Sequence, residues 1–485
     1  MVKLDKILKN IAAIQVVGNT DIIISEIIID SRKILKNCLF VAVKGTQVDG
    51  HDFIQNTINN GAIAVVCEKL PTKTDNNITY IQVKDSAYSL GLIASNFYNN
   101  PSHNLKLVGI TGTNGKTTTA TLLYNLVKSL GYKAGLLSTV KNYIDNKEII
   151  STHTTPDAIS INKLLNDMVD EGCEYCFMEV SSHAIVQNRI SGLHFTGAVF
   201  TNITHDHLDY HKTFDEYLKA KKQFFDNLHD NAFALINTDD KNGMVMVQNT
   251  KSSVYTYSLH SFSDFKCKVT ESHFDGMQLH IDSIDVWTKL IGKFNAYNIL
   301  AVYSTALLLN LPKDEVLLQL SNLNSVKGRF QYLISNEGII AIIDYAHTPD
   351  ALLNVINTIN EIKNDDNQLI TVAGAGGNRD KTKRPVMASI IAELSDKVIL
   401  TSDNPRFEKP EDILSDMQKG ISKSMNIKVL TIIDRKEAIK TACMIAKKGD
   451  IVLVAGKGHE NYQEVNGIKH HFDDKEVIQE IFKQI

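Results

Sequence analysis

Seven consecutive residues, GTNGKTT at 112–118, carry the clearest chemistry in the chain. Glycine at 112 and 115 lets backbone N–H groups approach a polyphosphate, and a following helix N-terminus adds a favourable dipole. Lys116 supplies a cation for the β- and γ-phosphates, and Thr117 offers a hydroxyl to Mg²⁺. Gly112, Thr113, Asn114, Gly115, Lys116, Thr117 and Thr118 together read as an ATP-binding loop. The strict eight-residue pattern would begin with glycine at 110, where Ile110 stands. A bare glycine turn is the alternative, and GK-T-T between a strand and a helix outweighs it. Such a loop would equally serve a kinase, a GTPase or a motor.

Carboxylates and imidazoles follow at the ends of other apolar runs. Glu179 closes YCFMEV and precedes Ser181-Ser182-His183, a place from which a carboxylate can hold Mg²⁺. Three histidines stand at 205, 207 and 211 in TNITHDHLDYH. Zinc is their obvious rival reading, but no cysteine set or H-E-x-x-H accompanies them. GGNRDK at 376–381, DNPR at 403–406 and GKGHE at 456–460 likewise follow apolar runs. Taken alone, DNPR is an Asn-Pro turn with an exposed arginine.

These residues need strand ends to hold them. LKLVGI before the loop and TATLLYNLVKSLGY after it read as strand and helix, and YCFMEV and GAVFTNI add two buried strands. The alternation predicts a largely parallel sheet covered on both faces. From about Gly338, IIAIIDY, LITVAGAGG, KVILTSDN and IVLVAGKG repeat it as a doubly wound pattern, whose ligands gather beyond the carboxyl ends of the strands. Before residue 105, LFVAVKG and AIAVVCE are strands flanking a helical GHDFIQNTINNGA. The expected architecture is therefore α/β in three domains: 1–105, 106–332 with a P-loop ATPase-like sheet, and 333–485 of Rossmann type. Leu4, Ile7, Leu8, Ile11 and Ile14 are spaced as one face of an N-terminal helix.

Bulk properties agree with a soluble enzyme. The 485 residues are 43% hydrophobic and 22% charged, and the net charge of −4 gives no footprint for nucleic acid. No apolar run approaches the roughly 20 residues that span a bilayer. Neither nucleic acid nor membrane insertion is expected, and a cytoplasmic monomer is. Cys173 and Cys176 have C-x-x-C spacing without a second pair, so core cysteines are the expectation.

GTNGKTT, MEVSSH, DHLDYH and YLKAKK stand in the order and spacing of the Mur ligases, and the chain resembles that family over almost its whole length. The resemblance implies that Thr117, Glu179 and His207 bind Mg²⁺ with an N-carboxylated Lys221, fourteen places after His207. Glu179, His207, Lys116 and Lys221 are then the catalytic set. Without the resemblance Lys221 reads as a solvated helix lysine like Lys219 and Lys222. Asn295 and Asn298 in GKFNAYN, and Arg329 in KGR, become further ATP contacts. Gln331 stands near a position where the family often has Glu.

DSR at 30–32, LFVAVKG and GHDF resemble the UDP-sugar domain of the diaminopimelate- and lysine-adding members. That places Ile29, Ser31, Thr46, Gln47 and Val48 at the nucleotide-sugar, and His153, Thr154, Thr155, Ser181, Gln187 and Arg189 at the muramoyl-dipeptide. DNPR is the mark of the diaminopimelate-adding members, which implies Arg379, Asp403, Asn404, Pro405, Arg406, Gly456 and Glu460 as the amino-acid site. The implied activity is ATP-dependent ligation of meso-2,6-diaminopimelate to the D-glutamate γ-carboxylate of UDP-N-acetylmuramoyl-L-alanyl-D-glutamate, through an acyl phosphate. The alternatives are L-lysine addition or a folylpolyglutamate-type ligase. With its pieces arriving from three domains, the site is expected to assemble by closure.

Overall fold

The computed structural model describes residues 1–45, 48–151 and 153–484; Thr46 and Gln47 lie outside the described residues. Three sheets form the skeleton. The N-terminal sheet runs in the order Ala13–Val17, Thr79–Val83, Ala62–Cys67, Cys38–Val41, Ile27–Ile28. Only the Ala13–Val17 pairing is antiparallel. That strand corrects the expected N-terminal helix, which ends after the single turn Leu4–Ile7. Leu4 and Ile7 are fully buried, but Asn10 takes a left-handed φ of 63° and stops the helix. The following IQVV then pairs as an edge strand, and Ile14 is 64% exposed.

Eleven strands make the central sheet. Lys106–Thr111 lies between Tyr175–Glu179 and Gly197–Phe200, all parallel, so three chain segments end side by side. The parallel expectation holds for this middle and fails at both edges. Asn142–Ile144 and Lys147–Ile149 form an antiparallel ribbon at one edge; Phe265–His273, Gly276–Ile281 and Ile284–Thr288 form another at the opposite edge. Strands in the middle are buried along their length, whereas Phe265–His273 is mostly exposed. Half-solvated strands of this kind suit antiparallel ribbons.

The C-terminal sheet runs Gln331–Ile334, Ile340–Asp344, Ile451–Ala455, Leu369–Ala373, Lys397–Leu400, Val429–Thr431, parallel after the first strand. Asp344, Gly374 and Gly456 follow at or just beyond carboxyl ends, where a doubly wound sheet opens its crevice. No helix among the described residues is long and apolar enough to cross a membrane.

Candidate functional site

One cavity of about 520 Å³ opens between the carboxyl ends of the central and C-terminal sheets. On its central wall, Lys106–Thr111 turns through the 112–115 loop into the helix Lys116–Ser129. A side chain at Gly112 would sit 1.9 Å from Thr201 Oγ1, so the backbone lies directly on the next strand's exit. Gly115 has φ +86° and gives way to Asn298, whose Oδ1 would be 2.6 Å from an added Cβ. Glycine is required at both points. Lys116 Nζ donates to the Gly112 and Thr113 carbonyls at 2.9 Å each, folded over its own loop.

Glu179 is fully buried, yet both carboxylate oxygens are in use. Thr117 Oγ1 donates to Oε2 at 2.9 Å, and Thr139 N donates to Oε1 at 2.7 Å. Lys221 stands on the helix Phe214–Asp226, which Thr213 caps by accepting from Glu216 N. Tyr217, Ala220, Phe224 and Phe225 form that helix's buried face, and Lys221 is on it, 1% exposed. Its Nζ donates to Gly112 O at 2.8 Å. Burial, reinforced by Lys116 and opposed by Asp206, holds this amine well below the ordinary lysine range. Lys219 and Lys222 instead pair with Glu216 and Asp226. The solvated reading of Lys221 is therefore overturned, and the helical spacing of Tyr217, Phe224 and Phe225 was the signal for it.

Glu179, His207 and Lys221 all come from the central sheet's surroundings, so no closure between domains is needed to bring them together. What crosses the gap is different. Asn114 Nδ2 donates to Asp350 Oδ2 at 2.9 Å, Lys383 pairs with Asp206 at 2.6 Å, and Arg329 donates to Thr117 Oγ1 at 3.3 Å beneath the Tyr345 ring. Sequence reading gave Asp350 and Lys383 no role in the site, since no local pattern ties them to residues some 236 and 177 positions away. Asn295 and Asn298 are buried directly behind the loop, joined by a 3.0 Å hydrogen bond, and do not themselves line the cavity.

Among the described residues no three His, Cys, Asp or Glu side chains form a ready-made metal cluster. His211 instead meets Ser182 Oγ at 2.9 Å. All six cysteines are buried and free.

Beside the phosphate loop, Thr155 Oγ1 donates to the Glu179 carbonyl at 2.8 Å. Arg189 donates to the Thr155 carbonyl at 2.7 Å and grips Gln187 Oε1 at 2.6 Å. His153, Thr154, Thr155, Ser181 and Arg189 line the cavity; Gln187 supports Arg189 from outside it. Ile29, Ser31 and Val48 lie on the N-terminal unit, beyond the lining.

The opposite wall carries Arg379, Asp403, Asn404, Arg406, Gly456 and Glu460. Gly456 has φ +113°, and a Cβ there would come within 2.5 Å of Asp403 Oδ2. Arg406 donates to Gly377 O at 2.8 Å and pairs with Glu464 at 3.5 Å. Pro405 places its carbonyl against Gly377 and does not line the cavity. Cations and carboxylates, Arg379 and Arg406 with Asp403 and Glu460 among them, thus face one space, complementary to a molecule with carboxylate and ammonium ends.

Comparison with known proteins decides the lineage. The Mur ligase middle domain matches residues 110–306, the Mur ligase glutamate ligase domain 328–458, and the Mur ligase family catalytic domain 23–98. A UDP-N-acetylmuramoyl-L-alanyl-D-glutamate–2,6-diaminopimelate ligase of Bacteroides fragilis is 58% identical over 480 residues, 99% of each chain. The chain belongs to the Mur ligase family. The counterpart in Cytophaga hutchinsonii is 59% identical over 97% of each chain. A solved Mur ligase of that same description superposes with a TM-score of 0.71 at 31% identity, covering all of this chain and 99% of its own. Within the family's three-part layout, the cavity lies between the middle and glutamate ligase domains.

Proposed function

We propose that this Mur ligase uses ATP to join meso-2,6-diaminopimelate to the D-glutamate γ-carboxylate of UDP-N-acetylmuramoyl-L-alanyl-D-glutamate, a cytoplasmic step of peptidoglycan precursor synthesis. The observation that carries this reading is Arg406, set with Arg379, Asp403 and Glu460 on the wall facing the phosphate loop. The named activity of relatives at 56–59% identity supports it.

The γ-carboxylate attacks the γ-phosphorus of ATP, giving an acyl phosphate and ADP. The amine at the L-centre of the diamino acid then attacks the acyl carbon, phosphate leaves, and the amine loses a proton. Lys116 and Arg329 stabilise negative charge on the transferring phosphoryl group, while the loop's backbone N–H groups orient it. Arg189, Thr155 and Ser181 hold the dipeptide, and Ile29, Ser31 and the 46–48 segment hold the nucleotide-sugar. Division near residues 105 and 332 gives the nucleotide-sugar to the first domain, phosphoryl transfer and the dipeptide to the second, and the incoming diamino acid to the third.

Thr117, Glu179 and His207, with a carboxylated Lys221, would hold Mg²⁺. The donor set fits a hard cation that keeps few protein ligands and shares phosphate oxygens. Mg²⁺ there would neutralise phosphate charge and act as a Lewis acid. Burial that lowers the Lys221 pKa favours the free amine over the ammonium, and the free amine is the form that adds CO2; a carbamate there would exchange a cation for an anion beside the metal. Phosphate release from ATP is expected only with both the UDP-dipeptide and the diamino acid present. Equal release with either substrate omitted would contradict the coupled reaction.

A further inference from the structure

Lys457 is the most enclosed ammonium on the amino-acid wall, and the reaction gives it no task. It is fully buried and does not border the cavity, whereas its neighbours Asn404 and Glu460 do. A buried lysine survives only when its charge and donors are matched. Here Nζ reaches Asn404 Oδ1 at 3.2 Å, Glu460 Oε2 at 3.4 Å and the Tyr462 carbonyl.

The consequences fall on Asn404. Its Oδ1 accepts from both Lys457 and the Glu464 backbone N–H at 2.9 Å, so the amide cannot flip. Nδ2 then donates to Glu460 Oε2 at 2.7 Å, leaving its second N–H for a molecule in the cavity. Glu460 is fixed at its other oxygen by Tyr345 OH at 3.3 Å. The Tyr462 contact ties in the hairpin strand Tyr462–Val465, which also carries Glu464, the partner of Arg406.

We propose that Lys457 is a positioning residue for amino-acid recognition: without touching substrate, it sets the orientation of Asn404 and Glu460 and so the affinity for the incoming amino acid. The proposal rests on the reading of this wall as the amino-acid site.

Lys457→Met keeps the side-chain length and removes the charge and donors. Its KM for meso-diaminopimelate should rise about tenfold or more, the loss expected for a charged hydrogen bond. The KM values for ATP and UDP-dipeptide, and kcat, should stay within about twofold, because only one substrate's site is disturbed. Combined with Asn404→Ala, the loss should be smaller than the product of the single losses, because Lys457 acts through Asn404. An unchanged KM for the diamino acid, parallel rises in all three KM values, or multiplicative losses would overturn the proposal. If Lys457→Met does not fold, Lys457→Gln is judged by the same criteria. Failure of both to fold while Asn404→Ala folds would assign Lys457 to stability alone. A wild-type enzyme that refuses diaminopimelate would refute the activity reading instead, and the Lys457 test would then be run with the amino acid it accepts.

Discussion

The two walls of the cavity are built in different ways. The phosphate wall is mainly backbone: adjacent parallel strands end together, glycines remove side chains at 112 and 115, and Glu179 is pinned by a neighbouring hydroxyl and N–H. The amino-acid wall is mainly side chain, with Asn404, Arg406, Lys457, Glu460 and Glu464 orienting one another. A backbone cradle recognises what every nucleoside triphosphate shares. A side-chain network can distinguish one diamino acid from another, and a single substitution can alter it.

That contrast breaks first at Lys221. Lys221→Ala should lower kcat by roughly 10³-fold or more, the scale of a removed transition-state charge contact. UDP-dipeptide binding should persist, and acetate or formate should restore part of the turnover. Wild-type kcat in this variant would remove Lys221 from the reaction.

Arg406→Ala tests the other wall. Removing one member of a charge pair costs about 3 kcal/mol, or roughly 10²-fold, in kcat/KM for meso-diaminopimelate. The KM for ATP should not move, and discrimination against L-lysine should shrink, because lysine lacks the carboxylate that a guanidinium grips. Loss of ATP affinity in parallel would mean that the two walls are not separable.

Asp350 reaches across the gap, so Asp350→Ala should affect both walls more weakly. Loss of the bonds from Asn114 and Thr204 across the gap, with the weaker one from Asn354, predicts about a tenfold fall in kcat/KM for ATP, with the fold and melting temperature nearly unchanged. A fall confined to the diamino acid would contradict the bridging role. Gln331→Glu, at the joint itself, should leave kcat within about twofold, since a carboxylate can still accept from Gly328 N.

The same contrast explains how much of the molecule was legible in sequence. The 112–118 loop was readable from its residues because its parts are consecutive, and the strands leading to it announced themselves as apolar runs. The amino-acid wall was readable only through family resemblance, since DNPR alone is an ordinary turn. The roles of Asp350 and Lys383 gave no signal, because Asn114 and Asp206 come from distant segments that only the folded chain brings near; Lys457 was visible inside GKGHE, but its contact with Asn404 was not. The N-terminal helix failed for the converse reason: helical spacing from Leu4 to Ile14 was local pattern, and pairing of Ala13–Val17 with Thr79–Val83 overrode it.

The proposed role of Arg406 is to fit this wall to a diamino acid with two carboxylates. The most direct measurement gives the wild-type enzyme ATP, Mg²⁺ and UDP-N-acetylmuramoyl-L-alanyl-D-glutamate with equal meso-diaminopimelate and L-lysine, and weighs the products by mass. The diaminopimelate adduct is expected in large excess. A predominant lysine adduct, or equal amounts of both, would contradict it.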